Sequence, residues 1–214
     1  MSIKVENIDT YGFEHAVRGV RNPMSSWAKS DSDWCAANWC DADFVIGEND
    51  LGLMQRLFKA GVEHRTYARM IYVWMDVTAP LYWWKEMDRY GIGKSQVSTS
   101  TMHKIHAKEF TLDDFSYEHM SSGALATLQS VIERLNVSRK FYNALDGAEA
   151  KQYWWDMIQL LPSSYNQKRT ICMSYEVVFK IIRERTGHKL DEWNDFVDIL
   201  KTLPYVNEIM GIDQ

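Results

Sequence analysis

The chain has 214 residues, of which 46% are hydrophobic and 25% charged, with only 4 prolines and 11 glycines and a formal net charge of −5. That composition excludes a disordered chain and a long flexible linker, and supports one large packed core or two small ones. The net negative charge argues against broad binding of nucleic acid polymers by phosphate neutralisation, while leaving room for a local basic pocket that takes a small anion.

The three cysteines, Cys35, Cys40 and Cys172, are odd in number, and the interval from Cys35 to Cys40 is not a common zinc spacing. They read as thiols in a reducing compartment. The N-terminal stretch MSIKVENIDTYGFEH lacks the apolar core of a signal peptide, and no apolar run approaches the ~20 residues of a membrane helix. The expected location is therefore the cytoplasm, with no membrane partner. Tryptophan is frequent, with 9 residues, and Trp83-Trp84 and Trp154-Trp155 are paired. Such rings fill cores or interfaces, or wall a pocket for a flat ring.

In chain order, residues 49–60 read as a helix capped by Asn49 or Asp50 and stopped by Gly61. Residues 67–78 are rich in β-branched and aromatic side chains and form the best strand pattern. Pro80 opens a short helix over 80–90, because its fixed φ suits a first turn. Residues 91–101, GIGKSQVSTST, read as a loop. Helices follow over 121–145 and 148–160, the second stopped by Pro162. Further helices are expected over 166–186, stopped by Gly187, and over 190–202, stopped by Pro204. Strands early and helices dominant indicate α+β: a small sheet covered by helices, in one domain over 1–214.

Three segments carry candidate chemistry. Loop 91–101 and its flanks hold Ser95, Ser98, Thr99, Ser100 and Thr101 beside Arg89, Lys94, His103 and Lys104. Hydroxyls, cations and exposed backbone N–H groups suit phosphate, although the spacing is not that of a Walker loop and the same composition is ordinary in solvated loops. On helical spacing Arg185 ends a stripe with Ser174, Val178 and Ile181. It either snorkels outward at a helix end or reaches into a cleft to hold an anion with both arms of its fork. His103 and His106 lack a further ligand and are not read as a metal site. Glu86 and Arg89, three apart, are by default a surface ion pair. No Ser-His-Asp or Cys-His arrangement is evident, so no protein nucleophile is expected.

The order of these segments resembles the flavin-dependent thymidylate synthases. That family carries Gly-His-Glu, a strand ending in Ala-Pro, a helix with Gln, then Arg-His-Arg and Ser-x-Arg. Here Gly61-Val62-Glu63 precedes the strand that runs into Ala79-Pro80, and Glu86 stands where the family has Gln. Arg89-Tyr90-Gly91 takes the place of Arg-His-Arg, and Thr101-Met102-His103 that of Ser-x-Arg, with two extra loop residues. Downstream, Leu161-Pro162 is followed by Ser174 in the place of a flavin-facing Asn, and by Arg185 eleven residues later, in the place of a nucleotide-binding Arg. Ile158 stands where the family has a second nucleotide-binding arginine. The pattern is similar to the divergent, thymidylate-synthase-like branch of phages and bacteria.

The resemblance implies a family fold, a small antiparallel sheet covered by helices, assembled as a homotetramer with active sites between subunits. It implies a flavoprotein methyltransferase of nucleotide biosynthesis, acting at carbon 5 of a pyrimidine deoxynucleotide (dUMP or dCMP). FAD, NADPH and methylene-tetrahydrofolate as co-substrate come with it. It assigns Arg89, Tyr90, Gly91 and Ser174 to the flavin, and Glu86, Ser100, Thr101, His103 and Arg185 to the nucleotide. The alternative it leaves open is a non-catalytic nucleotide-binding or scaffold protein that keeps the fold.

Overall fold

The computed structural model describes residues 3–38 and 41–212. Cys40, one partner of the Cys35–Cys40 interval, lies outside the described residues, as do Met1 and Ser2. The architecture is α+β, with helix in the majority and a small antiparallel sheet, as the sequence pattern predicts. Four strands are hydrogen-bonded in the order β1 (Lys4–Tyr11), β4 (Tyr72–Pro80), β6 (Asn166–Ser174), β5 (Lys94–Ser98). A separate antiparallel hairpin joins β2 (Asp33–Asn38) to β3 (Asp41–Val45). No helix among the described residues is long and apolar enough to cross a membrane.

Packing divides the chain into two compact units. One takes the N-terminal stretch through Glu6, then Asp76–Arg89 and Gln96–Thr170; the other takes Asn7–Met75, Tyr90–Ser95 and the stretch from Ile171 onward.

In the first unit, Pro80 is the last residue of β4 and the N-cap of a helix, not the first turn of the helix expected over 80–90. Its extended backbone precedes α3 (Leu81–Met87), whose Trp83, Trp84 and Met87 are fully buried. The Trp84 indole N–H donates to the Gln167 carbonyl at 2.9 Å, satisfying the ring's polar edge. A helical hairpin, α4 (Ser122–Ala144) and α5 (Gly147–Leu160), closes over Leu128, Ile132, Leu135 and Met157, with Ile105, Phe110 and Phe115 in the same cluster. The Ser121 side chain caps α4 by accepting from the Ala124 N–H. Asn136 fixes the neighbouring loop by exchanging two hydrogen bonds with the Phe110 backbone, at 2.8 and 2.9 Å.

The second unit is built on α1 (Phe13–Arg21), α2 (Glu48–Ala60), α6 (Tyr175–Arg185), α7 (Asp191–Lys201) and α8 (Val206–Met210). Phe13, Tyr175 and Phe179 pack edge to face through its core, Tyr175 meeting the other two at 5.5 and 5.8 Å. Trp193, Phe196 and Leu200 of α7 are completely buried. The buried Tyr67 hydroxyl donates to the Met54 carbonyl at 2.9 Å, and burial pushes its ionisation well above the usual phenol range.

Several expected elements are corrected. The strand expected over 67–78 runs over Tyr72–Pro80, and Thr66–Arg69 form a short 3-10 helix before it. The caps expected at Asn49 or Asp50 lie inside α2, whose N-cap is Gly47. Residues 166–186 are not one helix: the segment splits at Ser174 into β6 and α6. The reason is periodicity. Gln167, Ile171 and Met173 are buried at odd positions, as strand geometry requires, and the 3.6-residue stripe begins only after Tyr175. The expected loop 91–101 likewise contains the short strand β5.

Candidate functional site

Arg185 is the last residue of α6, half-buried, and its guanidinium is held on several sides by its own unit. Its Nε donates to the Tyr90 hydroxyl at 3.0 Å, and Nη1 lies 3.0 Å from His188 Nε2. The guanidinium plane rests over the Trp193 ring, 4.5 Å from its centroid. Tyr90 in turn donates its hydroxyl hydrogen to Glu184 at 3.0 Å. Burial raises the Tyr90 phenol above its ordinary range, so it stays protonated and keeps this donor–acceptor chain in one direction. The Arg185 side chain turns onto Tyr90 and Trp193, with Nε and Nη1 engaged by neighbours in its own unit. The stripe argument holds from Val178 through Ile181, both fully buried, but Ser174 is the cap residue before the helix and not part of the stripe.

Ser174 is 2% exposed, and its N–H donates to the Gly93 carbonyl at 2.9 Å. Gly93 has φ +80, and a Cβ there would lie 3.0 Å from Ser174 Oγ and 3.1 Å from Val177 Cγ2. Glycine is thus required for the backbone to approach so closely. Gly91 is exposed and a Cβ on it would meet nothing within 4 Å. Within this unit, then, the structure brings Tyr90 to Arg185, and the turn after Gly91 to Ser174.

Glu86, Arg89, Ser100, Thr101 and His103 belong to the other unit. Glu86 is half-buried on α3. Arg89 lies beyond the helix, which ends at Met87, so the helical spacing assumed for a Glu86–Arg89 ion pair does not apply. The Arg89 side chain is exposed and makes no ion pair among the described residues. Ser100 Oγ accepts the N–H groups of Met102 at 3.2 Å and His103 at 2.8 Å. Those two backbone donors are therefore already satisfied, which narrows the phosphate-cradle reading of this segment to its side chains. Thr99 is tied to the Lys168 carbonyl through its N–H at 3.0 Å, so the segment is anchored to β6. His103 is exposed and Thr101 half-buried.

Trp193, His188 and Glu184 complete the setting of Arg185 and were not singled out from sequence. The one signal was a tryptophan eight residues after the arginine, across a helix break at Gly187.

No protein-family model matches the sequence, and no curated protein matches it. Solved structures do. The chain has the fold of the flavin-dependent thymidylate synthases. It superposes on ThyX from Helicobacter pylori, crystallised with FAD and dUMP, with a TM-score of 0.64 at 14% identity, over 98% of this chain and 97% of that one. The UMP/dUMP methylase PolB from Streptomyces cacaoi, bound to 5-Br dUMP, gives a TM-score of 0.61 at 14% identity, over 97% and 93% of the two chains.

Proposed function

We propose that this protein is a flavin-dependent methyltransferase acting at carbon 5 of a pyrimidine deoxynucleotide, dUMP or dCMP. The observation that carries the reading is the end-to-end match in fold to a thymidylate synthase solved with both FAD and dUMP. Arg185, clamped by Tyr90 and Trp193, holds the nucleotide's anionic group. Glu86 hydrogen-bonds the base or ribose, and Ser100, Thr101 and His103 line the nucleotide. Arg89, Tyr90, Gly91 and Ser174 contact the flavin. Arg89, exposed and without an ion pair among the described residues, and Gly91 two positions on, with open space at its Cβ position, suit an anionic, flat-ringed cofactor. When bound, FAD recharged by NADPH supplies the hydride that completes a methyl group whose carbon comes from methylene-tetrahydrofolate. The chain supplies orientation and charge, so the reading needs no protein nucleophile. The whole of 1–214 acts as one such domain, in the cytoplasm, as a homotetramer with active sites between subunits.

A second reading, a non-catalytic nucleotide-binding or scaffold protein, draws on one observation: Tyr90 and Gly91 stand in place of a His and an Arg of the Arg-His-Arg motif. The visible absorption spectrum separates the two. A flavin spectrum that stays with the protein through gel filtration after loading with FAD is the expected result, followed by comparison of dUMP with dCMP as substrate. A colourless protein that cannot be loaded removes the flavoenzyme reading and leaves the scaffold.

A further inference from the structure

The unit that holds Arg185 contains a separate cleft of about 870 Å³, framed by β1, the start of α1, the β2–β3 hairpin, β4 and the start of α8. Its walls carry Tyr11, Trp34, Phe44, Tyr72, Trp74 and Tyr205. Two pairs are edge to face, Tyr11 on Trp74 at 5.7 Å and Trp34 on Phe44 at 5.5 Å, and Tyr72 packs on Trp74 at 5.9 Å. Tyr11, Trp34 and Trp74 remain 63%, 53% and 38% exposed. At the rim stand three carboxylates, Glu14, Asp43 and Glu208, with His15 the one other titratable lining group apart from the tyrosines; no lysine or arginine lines the cleft, the Arg18 guanidinium lying 3.3 Å from His15 Nδ1. The floor is fixed. Tyr205 sits at φ +60, a left-handed conformation rare for an aromatic residue, its hydroxyl accepts the Ile46 N–H at 3.1 Å, and its ring packs on Phe13 at 5.5 Å.

We propose that this cleft binds a small organic cation with a flat aromatic body. Exposed aromatic rings attract a positive charge through their quadrupoles, and the carboxylates add the same sign of attraction. The same rim repels phosphate, so the cleft is not a second place for the nucleotide and the inference stands apart from the proposed function. The volume lies within the range of small-molecule pockets, roughly 300–1,000 Å³.

The test is isothermal titration of the full chain with 1-methylquinolinium and with quinoline, at mildly alkaline pH where quinoline is neutral. The two differ in charge and hardly in shape. The cation should bind roughly ten-fold more tightly, as expected for a partly desolvated cation–π contact. Trp74→Ala, and separately the shape-preserving pair Asp43→Asn with Glu208→Gln, should each weaken the cation at least about three-fold and leave quinoline less affected. The carboxamide variants alter exposed groups, so a folding defect does not obscure the answer. Equal affinity for the two compounds overturns the proposal, as does cation binding unchanged in both variants. Light scattering supplies the remaining outcome: if the chain binds no cation and Trp74→Ala dissociates an oligomer, the cleft is covered by a second copy and the proposal is wrong.

Discussion

Arg185 shows how much one side chain depends on its neighbours. Stacking on Trp193 and donation to Tyr90 fix the guanidinium before any ligand arrives, which reduces the entropy lost on binding. Arg185→Ala should weaken dUMP or dCMP binding roughly ten- to hundred-fold, the loss of one or two charge-assisted hydrogen bonds. Arg185→Lys should recover little, because an ammonium neither forks nor stacks as a guanidinium does. Titration calorimetry reads both; unchanged nucleotide affinity in Arg185→Ala would remove Arg185 from the site. Elsewhere, Asp50 is fully buried and accepts from Arg21 Nε at 2.6 Å, from Ser30 and Ser32 hydroxyls at 2.7 Å each, and from the Asp31 N–H at 3.1 Å. Burial alone would raise its carboxyl, but these hydrogen bonds outweigh burial and hold it below the ordinary value of 3.8. A carboxyl lowered on folding stabilises the native state above its unfolded value, and that contribution disappears as pH falls through the lowered folded value. Asp50→Asn leaves the Arg21 charge buried without its counter-ion and should cost about 3–5 kcal/mol at neutral pH. Urea unfolding across an acid pH series should show the gap between wild type and variant closing as pH drops below the carboxylate range.

At the scale of elements, two details decide local architecture. Gly12 enters α1 at φ +104, and a Cβ there would lie 2.2 Å from the Met70 carbonyl oxygen. That neighbour is backbone and cannot swing aside. Gly12→Ala should therefore destabilise by on the order of 3 kcal/mol, combining left-handed strain with a forced backbone shift. Leu135, fully buried between α4 and α5, should cost about 3 kcal/mol when cut to alanine, the usual range for a large-to-small change in a packed core. Thermal melts and urea midpoints check both. The elements also show where sequence patterns succeed. The predicted helices over 49–60, 121–145, 148–160 and 190–202 match α2, α4, α5 and α7 within about two residues, because helix stops sit near their ends, although of the four only α4 carries a side-chain cap. β1 passed unnoticed: KVENIDTY is mostly exposed and carries polar groups on both faces, so no alternation marks it. The stretch 166–174 misled because a short strand running directly into a helix has no breaker between them, and Ser174 serves as the joint.

For the whole molecule, the proposed assembly makes its own demand. Light scattering should give the mass of four chains, and the tetramer should persist with FAD bound. A monomer that nevertheless retains flavin would contradict active sites built between subunits. Exposed Trp27, Trp34, Trp74 and Trp155, each at least 38% exposed, show that the tryptophan excess is not spent in cores alone. Trp83 and Trp84, by contrast, are completely buried in α3. The sequence could not separate these two fates, since spacing reports helix faces but not which face another element covers.

What the sequence determined by itself was local or collinear: the bounds of four helices, the presence of a strand running into Ala79-Pro80, the α+β class, and an order of motifs that resembles one enzyme family at residues too changed for a sequence comparison to recover. These are legible because caps, prolines and periodicity act within a few residues. Tertiary structure alone decided that Tyr90 and Arg185, ninety-five positions apart, share a hydrogen bond, that Trp193 lies under the guanidinium, and that aromatic rings from β1, β2, β3 and β4 face one acid-rimmed cleft. Those are encounters between distant segments, set by strand order and helix packing, and no local pattern encodes which side chains such packing will bring together.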